Sequence, residues 1–327
     1  MLFMKTCVST TFALFGVCAP FELCAAGNPA PLVPAAVAAA LADPARPAEQ
    51  TAHDADRHPA EVLAFAGVAP GDRVADFGSG GAYFTRLFSR IVGAGGRVYA
   101  FLPQEQLEHC APAETGGTRA IEGDAHYANV TVLPGPVNGF SAPEPLDLVW
   151  NSLNFHDLYD SFMAPADVPE VLAATYRALK PGGVLVIVDH VAQPGSKIRD
   201  TETLHRIDPE VIIAAVRAAG FVLEAQSDLL RNAHDSHELI VFDPAIRGRT
   251  DQVLLKFRKP RGRRRALGCN FFAAHRLQAF WDLSCAPTGR RRSRRPLAAW
   301  IAFTSAGATG GIPISATPVG GKRESLK

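Results

Sequence analysis

The sequence predicts a doubly wound α/β domain with a mostly parallel, seven-stranded, Rossmann-like sheet and helices on both faces. Three observations carry this. Short apolar runs alternate with segments of helical spacing from His53 to Pro260. Val184-Leu-Val-Ile-Val188 is an unbroken apolar run, as a central strand covered on both faces requires. Arg73-Val-Ala-Asp-Phe-Gly-Ser-Gly-Gly-Ala-Tyr-Phe84 reads as a strand, an acid at its carboxyl end, a glycine loop and a helix start.

The elements follow in order. His58-Pro59 opens a helix, because a proline at an early position loses no hydrogen bond, and Gly67 ends it. The first strand leads to the glycine loop and to a helix over Tyr83–Val92 with Phe84, Leu87, Phe88 and Ile91 on one face. Arg97–Phe101 is the second strand, followed by one helix around Glu105–Glu122. Asn129–Leu133 and Leu146–Trp150 are the third and fourth strands, and Pro169–Leu179 is a helix. Lys180-Pro-Gly-Gly183 turns into the fifth strand. A helix over Pro209–Ala219 and strands near Phe221–Ala225 and Gln252–Phe257 complete the domain.

Charge is unevenly placed. The chain has 33 Lys/Arg and 32 Asp/Glu, but residues 261–327 hold 13 of the first and 2 of the second. The body is therefore acidic, which argues against a nucleic-acid substrate. The basic tail lacks periodicity and reads as disordered. Residues 1–26 read as an export signal: Lys5, an apolar run over Val8–Cys18, and Cys24-Ala25-Ala26 before Gly27. That run is short for a stable membrane span, so a periplasmic protein is expected, with an uncleaved N-terminal anchor as the rival reading. Residues 27–52 read as an Ala/Pro-rich linker, with a helix near Pro34–Leu41, and 53–260 as the functional domain. Of six cysteines only Cys110 lies in the body, so neither a disulfide framework nor a cysteine metal site is expected. The pattern specifies no oligomeric state.

Glycines in the loop let backbone N–H groups approach a ligand. A dinucleotide fingerprint would need a third glycine where Tyr83 stands and an acid after the second strand, where Phe101 stands, which disfavours a nucleotide-dependent oxidoreductase. No Walker A lysine follows. An acid two residues ahead of G-x-G-G resembles motif I of class I S-adenosylmethionine-dependent methyltransferases. Asp147-Leu-Val-Trp-Asn151 resembles the fourth-strand motif of that superfamily, and Leu179-Lys-Pro-Gly-Gly183 its turn into strand five. Asp200–Pro209, Ser227–Asn232 and Phe242–Gly248 look like a narrower group of predicted, often exported bacterial methyltransferases without an assigned substrate.

The resemblance implies S-adenosylmethionine as cofactor, held by Asp76, Gly78, Ser79, Gly80 and Gly81. It implies an acid for the ribose after strand two, where this chain reads Ala100-Phe101-Leu102 and only Glu105 follows. Asn138 is the expected adenine partner, and Asn151 the cofactor contact on strand four. Asp124 reads as a solvated loop residue. Beyond strand four, His156 is the candidate general base, since an unperturbed imidazole titrates near 6.5. Asp157 would fix its tautomer and Asn154 would orient a small-molecule substrate. No metal is expected: His234, Asp235, His237 and Glu238 match no closed zinc spacing. The competing function is a non-catalytic ligand-binding module on the same scaffold, motivated by the missing ribose acid.

Overall fold

The computed structural model describes residues 33–163 and 166–262, without the side chains of 113 and 114. The expected export signal, residues 27–32 of the linker and the tail beyond 262 lie outside the described residues. The chain divides into units 1–266 and 267–327, and only the first is described.

The sheet has seven strands: β1 (Arg73–Phe77), β2 (Arg97–Pro103), β3 (Val130–Gly135), β4 (Leu146–Ser152), β5 (Leu179–His190), β6 (Val222–Ser227) and β7 (Gln252–Arg258). Their order is β3-β2-β1-β4-β5-β7-β6. β1 to β5 pair in parallel, and β7 enters antiparallel between β5 and β6. The chain reverses direction across β1 and β4, so a crevice opens beyond their carboxyl ends.

Ten helices are described: α1 (Ala35–Leu41), α2 (Ala48–Thr51), α3 (Asp54–Arg57), α4 (Pro59–Ala66), α5 (Tyr83–Val92), α6 (Gln104–His109), α7 (Pro112–Ile121), α8 (Val168–Ala178), α9 (Thr201–Leu204) and α10 (Pro209–Ala218). Local chemistry sets their ends. Asp167 and Asp208 cap α8 and α10 by accepting the N–H groups of Glu170 and Glu210, and a proline stands in each first turn.

Strand alternation sorts the core into two layers. Val74, Leu148, Trp150 and Val186 pack on one face with α1, α4 and α5. There Trp150 meets the Phe84 ring at 4.6 Å. Phe77, Val149, Leu185 and Ile187 pack on the other face with α8 and α10. At about 25 cal/mol per Å² of apolar surface, these buried faces supply the main driving force for the fold.

Three expectations change. The single helix over 105–122 is two, α6 and α7, broken at Cys110-Ala111, because Pro112 offers no N–H to continue the first. Lys180–Gly183 lies inside β5, where a register shift between Leu146 and Leu148 of β4 absorbs it. The linker boundary at 52 moves: Val37 and Ala40 of α1 are fully buried against α5, so residues from 33 onward belong to the packed domain.

Candidate active site

The site lies at the carboxyl ends of β1 and β4, in a cleft of about 900 Å³. Asp76, the fourth residue of β1, is 4% exposed. Its carboxylate accepts the Thr85 hydroxyl of α5 at 2.6 Å. Burial pushes its pKa up to about 6, against the pull of that hydrogen bond and of the Arg57 charge.

The glycine loop is fixed from outside. Gly78 and Ser79 both donate to the Phe101 carbonyl, at 3.0 and 3.2 Å. Gly78 has φ +75°, and a Cβ there would lie 2.9 Å from the Asn154 side chain. The carbonyl of Gly80 accepts Thr118 Oγ1 at 2.7 Å, and that of Gly81 accepts Gln50 Nε2 at 2.7 Å and Arg86 Nη1 at 3.0 Å. With their carbonyls tied back, the N–H groups of Gly80 and Gly81 have no partner among the described residues. Such paired amides form a ready anion cradle.

Arg57 and Gln50, from the segment ahead of α4, also line the cleft. The Arg57 guanidinium sits 4.6 Å from the Tyr83 ring centroid, and Tyr83 Oη donates to Asp54 at 2.6 Å. Sequence patterning missed this contribution because α2 and α3 are single turns without an apolar face. Gln50 fell within the expected linker.

Opposite the glycine loop, a 3-10 turn over His156–Tyr159 follows β4. His156 Nδ1 is 2.7 Å from Asp189 Oδ1, and its backbone N–H donates to Asp189 Oδ2 at 2.8 Å. His156 Nε2 lies 3.1 Å from Asp157 Oδ1. Burial alone would lower the His156 pKa, but the Asp189 and Asp157 carboxylates outweigh it and raise it well above the usual value. The Asp157 carboxyl is held below its usual range: burial works against this, and hydrogen bonds to His156 and His205 prevail. His156 thus lies between two carboxylates that favour its charged form, rather than standing as the unpartnered base its unperturbed value predicts. Asp189, His205 and Asp160 were not singled out for this site from sequence. They stand 33, 49 and 4 residues from His156, and only the D-x-x-D spacing of Asp157 and Asp160 left a signal.

Asp76, Gly78, Ser79, Gly80, Gly81, Asn154, His156 and Asp157 all line this one cleft. Asn154, however, gives its amide to the framework: Nδ2 donates to Gly78 O at 3.1 Å and to Ser152 O, and Oδ1 accepts Gln106 Nε2 at 3.0 Å. It positions the loop instead of presenting a free amide to a substrate.

Three expected cofactor contacts fall elsewhere. Asn151 shares the strand parity of Val149, so it points to the α8 face beside Phe77 and Leu172. Glu105 accepts the Val137 N–H at 3.0 Å, tying α6 to the turn after β3. Asn138 Oδ1 accepts the Asp167 N–H at 2.8 Å, at the start of α8. The usual place of the ribose acid is apolar, with Leu102 only 1% exposed. Asp124 is exposed and caps a short turn by accepting the His126 N–H. In the 234–238 cluster, Asp235 holds the buried Arg206 guanidinium at 2.8 Å and His237 pairs with Asp251 at 2.9 Å.

No family model matches the chain. It is 28% identical over 195 residues to the ubiquinone/menaquinone biosynthesis C-methyltransferase UbiE of Vibrio cholerae, covering 58% of this chain and 63% of that protein. It is 32% identical over 145 residues to UbiE of Vibrio parahaemolyticus, covering 42% and 50%. The chain thus spans less than two thirds of the length of these relatives. A SAM-dependent methyltransferase of Aquifex aeolicus matches in structure with TM-score 0.43 and 18% identity, over 61% of this chain and 88% of that one. The chain is thus similar in sequence to C-methyltransferases, and its strand order and glycine loop are those of a Rossmann-like methyltransferase fold.

Proposed function

We propose that the protein binds S-adenosylmethionine in this cleft and transfers its methyl group to a small molecule. One observation carries the reading: the unpaired N–H groups of Gly80 and Gly81, the Asp76 carboxylate and Arg57 line the same cleft as the His156–Asp157 pair. These residues fit the amino-acid end of the cofactor, with amides and Arg57 for its carboxylate and Asp76 for its ammonium. When bound, the cofactor supplies a sulfonium methyl group open to in-line attack, so the protein's task is alignment and proton handling. Thr85 holds Asp76. Asn154 and Gln106 hold the loop facing the acceptor end. Asp157 and His205 line that end and offer a carboxylate and an imidazole to an acceptor's O–H or N–H. The kinship with the UbiE proteins supports methyl transfer as the reaction class.

Leu102 favours one second reading, a binding module without turnover, since an apolar side chain replaces the acid that usually grips the ribose. Export to the periplasm remains part of the proposal on the strength of Lys5, Val8–Cys18 and Cys24-Ala25-Ala26. No helix among the described residues is long and apolar enough to cross a membrane.

Isothermal titration of the full chain with S-adenosylmethionine tests the reading, alongside Gly80→Val, which blocks the cradle. Binding at micromolar concentration that the variant loses supports it. No heat at millimolar cofactor contradicts it.

A further inference from the structure

We propose that His156, Asp157, Asp160 and His205 form a binding site for a divalent first-row transition-metal ion at the acceptor end of the cleft. One donor atom from each residue can be chosen so that all four lie within 4.8 Å of one another. His156 Nε2 is 3.1 Å from Asp157 Oδ1, and His205 Nδ1 is 3.9 Å from both Asp157 Oδ1 and Asp160 Oδ2. A tetrahedral ion with bonds of about 2.0 Å sets neighbouring donors about 3.3 Å apart, so side-chain shifts of under about 1 Å close the set.

Local structure aims these donors at one point. The 3-10 turn over His156–Tyr159 advances three residues per turn, which brings Asp157 and Asp160 to the same side. His205 ends α9 in the left-handed region at φ 53°, and its ring packs edge-on against His156 at 5.4 Å. His156 is steered by Asp189 at Nδ1, and a metal ion would displace the proton at Nε2, the nitrogen that faces Asp157. A carboxylate behind a ligating imidazole is the usual support for a metal-bound histidine.

An independent observation points to a cation at this place. Asp160 is 4% exposed, yet neither of its carboxylate oxygens has a hydrogen-bond partner. The nearby Thr201 hydroxyl, which offsets part of the cost of burying Asp160, makes its hydrogen bond to the Ile198 carbonyl at 3.2 Å. A buried carboxylate left without donors costs several kcal/mol unless a charge compensates it. Here three buried carboxylates, Asp157, Asp160 and Asp189, surround two imidazoles, and a dication offsets two of the three negative charges.

Two nitrogen and two oxygen donors suit Zn²⁺, Co²⁺, Fe²⁺ or Mn²⁺ better than Mg²⁺ or Ca²⁺, which take oxygen alone. Asp157 and His205 line the cleft, so the ion's open side faces the acceptor. A small molecule bearing a hydroxyl or carbonyl oxygen would reach it by adding a fifth ligand. This last step rests on the proposed methyl transfer; binding of the metal does not.

The test uses the full chain after chelation and dialysis, titrated with Zn²⁺ by calorimetry and with Co²⁺ by visible absorption. The expected result is one ion per chain, with a tetrahedral or five-coordinate Co²⁺ spectrum. Asp160→Asn and His205→Gln should each weaken Zn²⁺ binding at least about tenfold while circular dichroism stays unchanged, and His234→Gln in the outer loop should have no effect. No Zn²⁺ binding by the wild-type chain, or equal binding by the Asp160→Asn/His205→Gln double variant, overturns the proposal. S-adenosylmethionine titrated into the metal-free chain separates the two claims, because the glycine loop shares no residue with the metal ligands.

Discussion

Asp189 grips His156 twice, with Oδ1 2.7 Å from Nδ1 and Oδ2 accepting the backbone N–H at 2.8 Å. One carboxylate from the end of β5 thus sets both the ring orientation and the chain direction after β4. Asp189→Ala should cost about 3–5 kcal/mol in urea unfolding, because it strands a buried partner, and should abolish methyl transfer. Affinity for S-adenosylmethionine should fall much less, since Asp189 does not touch the glycine loop. A loss of stability under about 1 kcal/mol would contradict the structural role given to the pair.

Asp76 gives a pH dependence with a definite sign. Burial raises its pKa to about 6, above the value of about 3.9 for an unfolded aspartate. Between these values the folded chain binds the extra proton. The stability contributed by this group is therefore full below about pH 3.9 and is lost as pH rises through about 6. Cofactor binding runs the other way, because an ammonium needs the ionised carboxylate. Affinity should rise through about pH 6 and level off above it, and Asp76→Asn should remove the inflection. Calorimetric titration across that range checks it, and a flat wild-type profile would refute the assignment.

Two glycines set how closely the loop is packed. A Cβ on Gly117 of α7 would lie 2.1 Å from the Gly81 carbonyl oxygen, a backbone atom that cannot swing away. Gly117→Ala should destabilise the fold by about 1–3 kcal/mol and weaken cofactor binding by displacing the loop. Gly123→Ala is a local control for the clash, since nothing lies within 4 Å of its Cβ, although φ +80° adds backbone strain. Thermal melts and cofactor titration of the two variants should therefore differ chiefly in binding.

The α2–α3 segment contributes directly to the site. Gln50 ties the Gly81 carbonyl at 2.7 Å, and Arg57 lines the cleft beside Tyr83. Arg57→Ala should weaken S-adenosylmethionine binding about tenfold, equivalent to about 1.4 kcal/mol, and Gln50→Ala somewhat less. Unchanged affinity in both variants would exclude the segment from the binding surface.

The parallel core was legible because β1, β4 and β5 are apolar on both faces and glycines or prolines punctuate them. The loop from Asp76 to Gly81 was legible for the same reason: its chemistry is local. What escaped depends on side-chain direction. Asn151 lies one residue beyond Trp150, and that single step of strand parity turns it to the α8 face. Glu105 and Asn138 stand near the expected places but satisfy backbone N–H groups at the starts of other elements. The Asp189, Asp160 and His205 contributions arise from β5, a 3-10 turn and α9, which only the folded sheet brings together.

The most direct measurement is a crystal structure of the chain with S-adenosylhomocysteine, the demethylated cofactor. The account predicts its carboxylate within hydrogen-bond distance of the Gly80 and Gly81 N–H groups, its ammonium beside Asp76 and its sulfur facing His156–Asp157. A ligand bound away from the glycine loop, or an empty loop at saturating ligand, would contradict it.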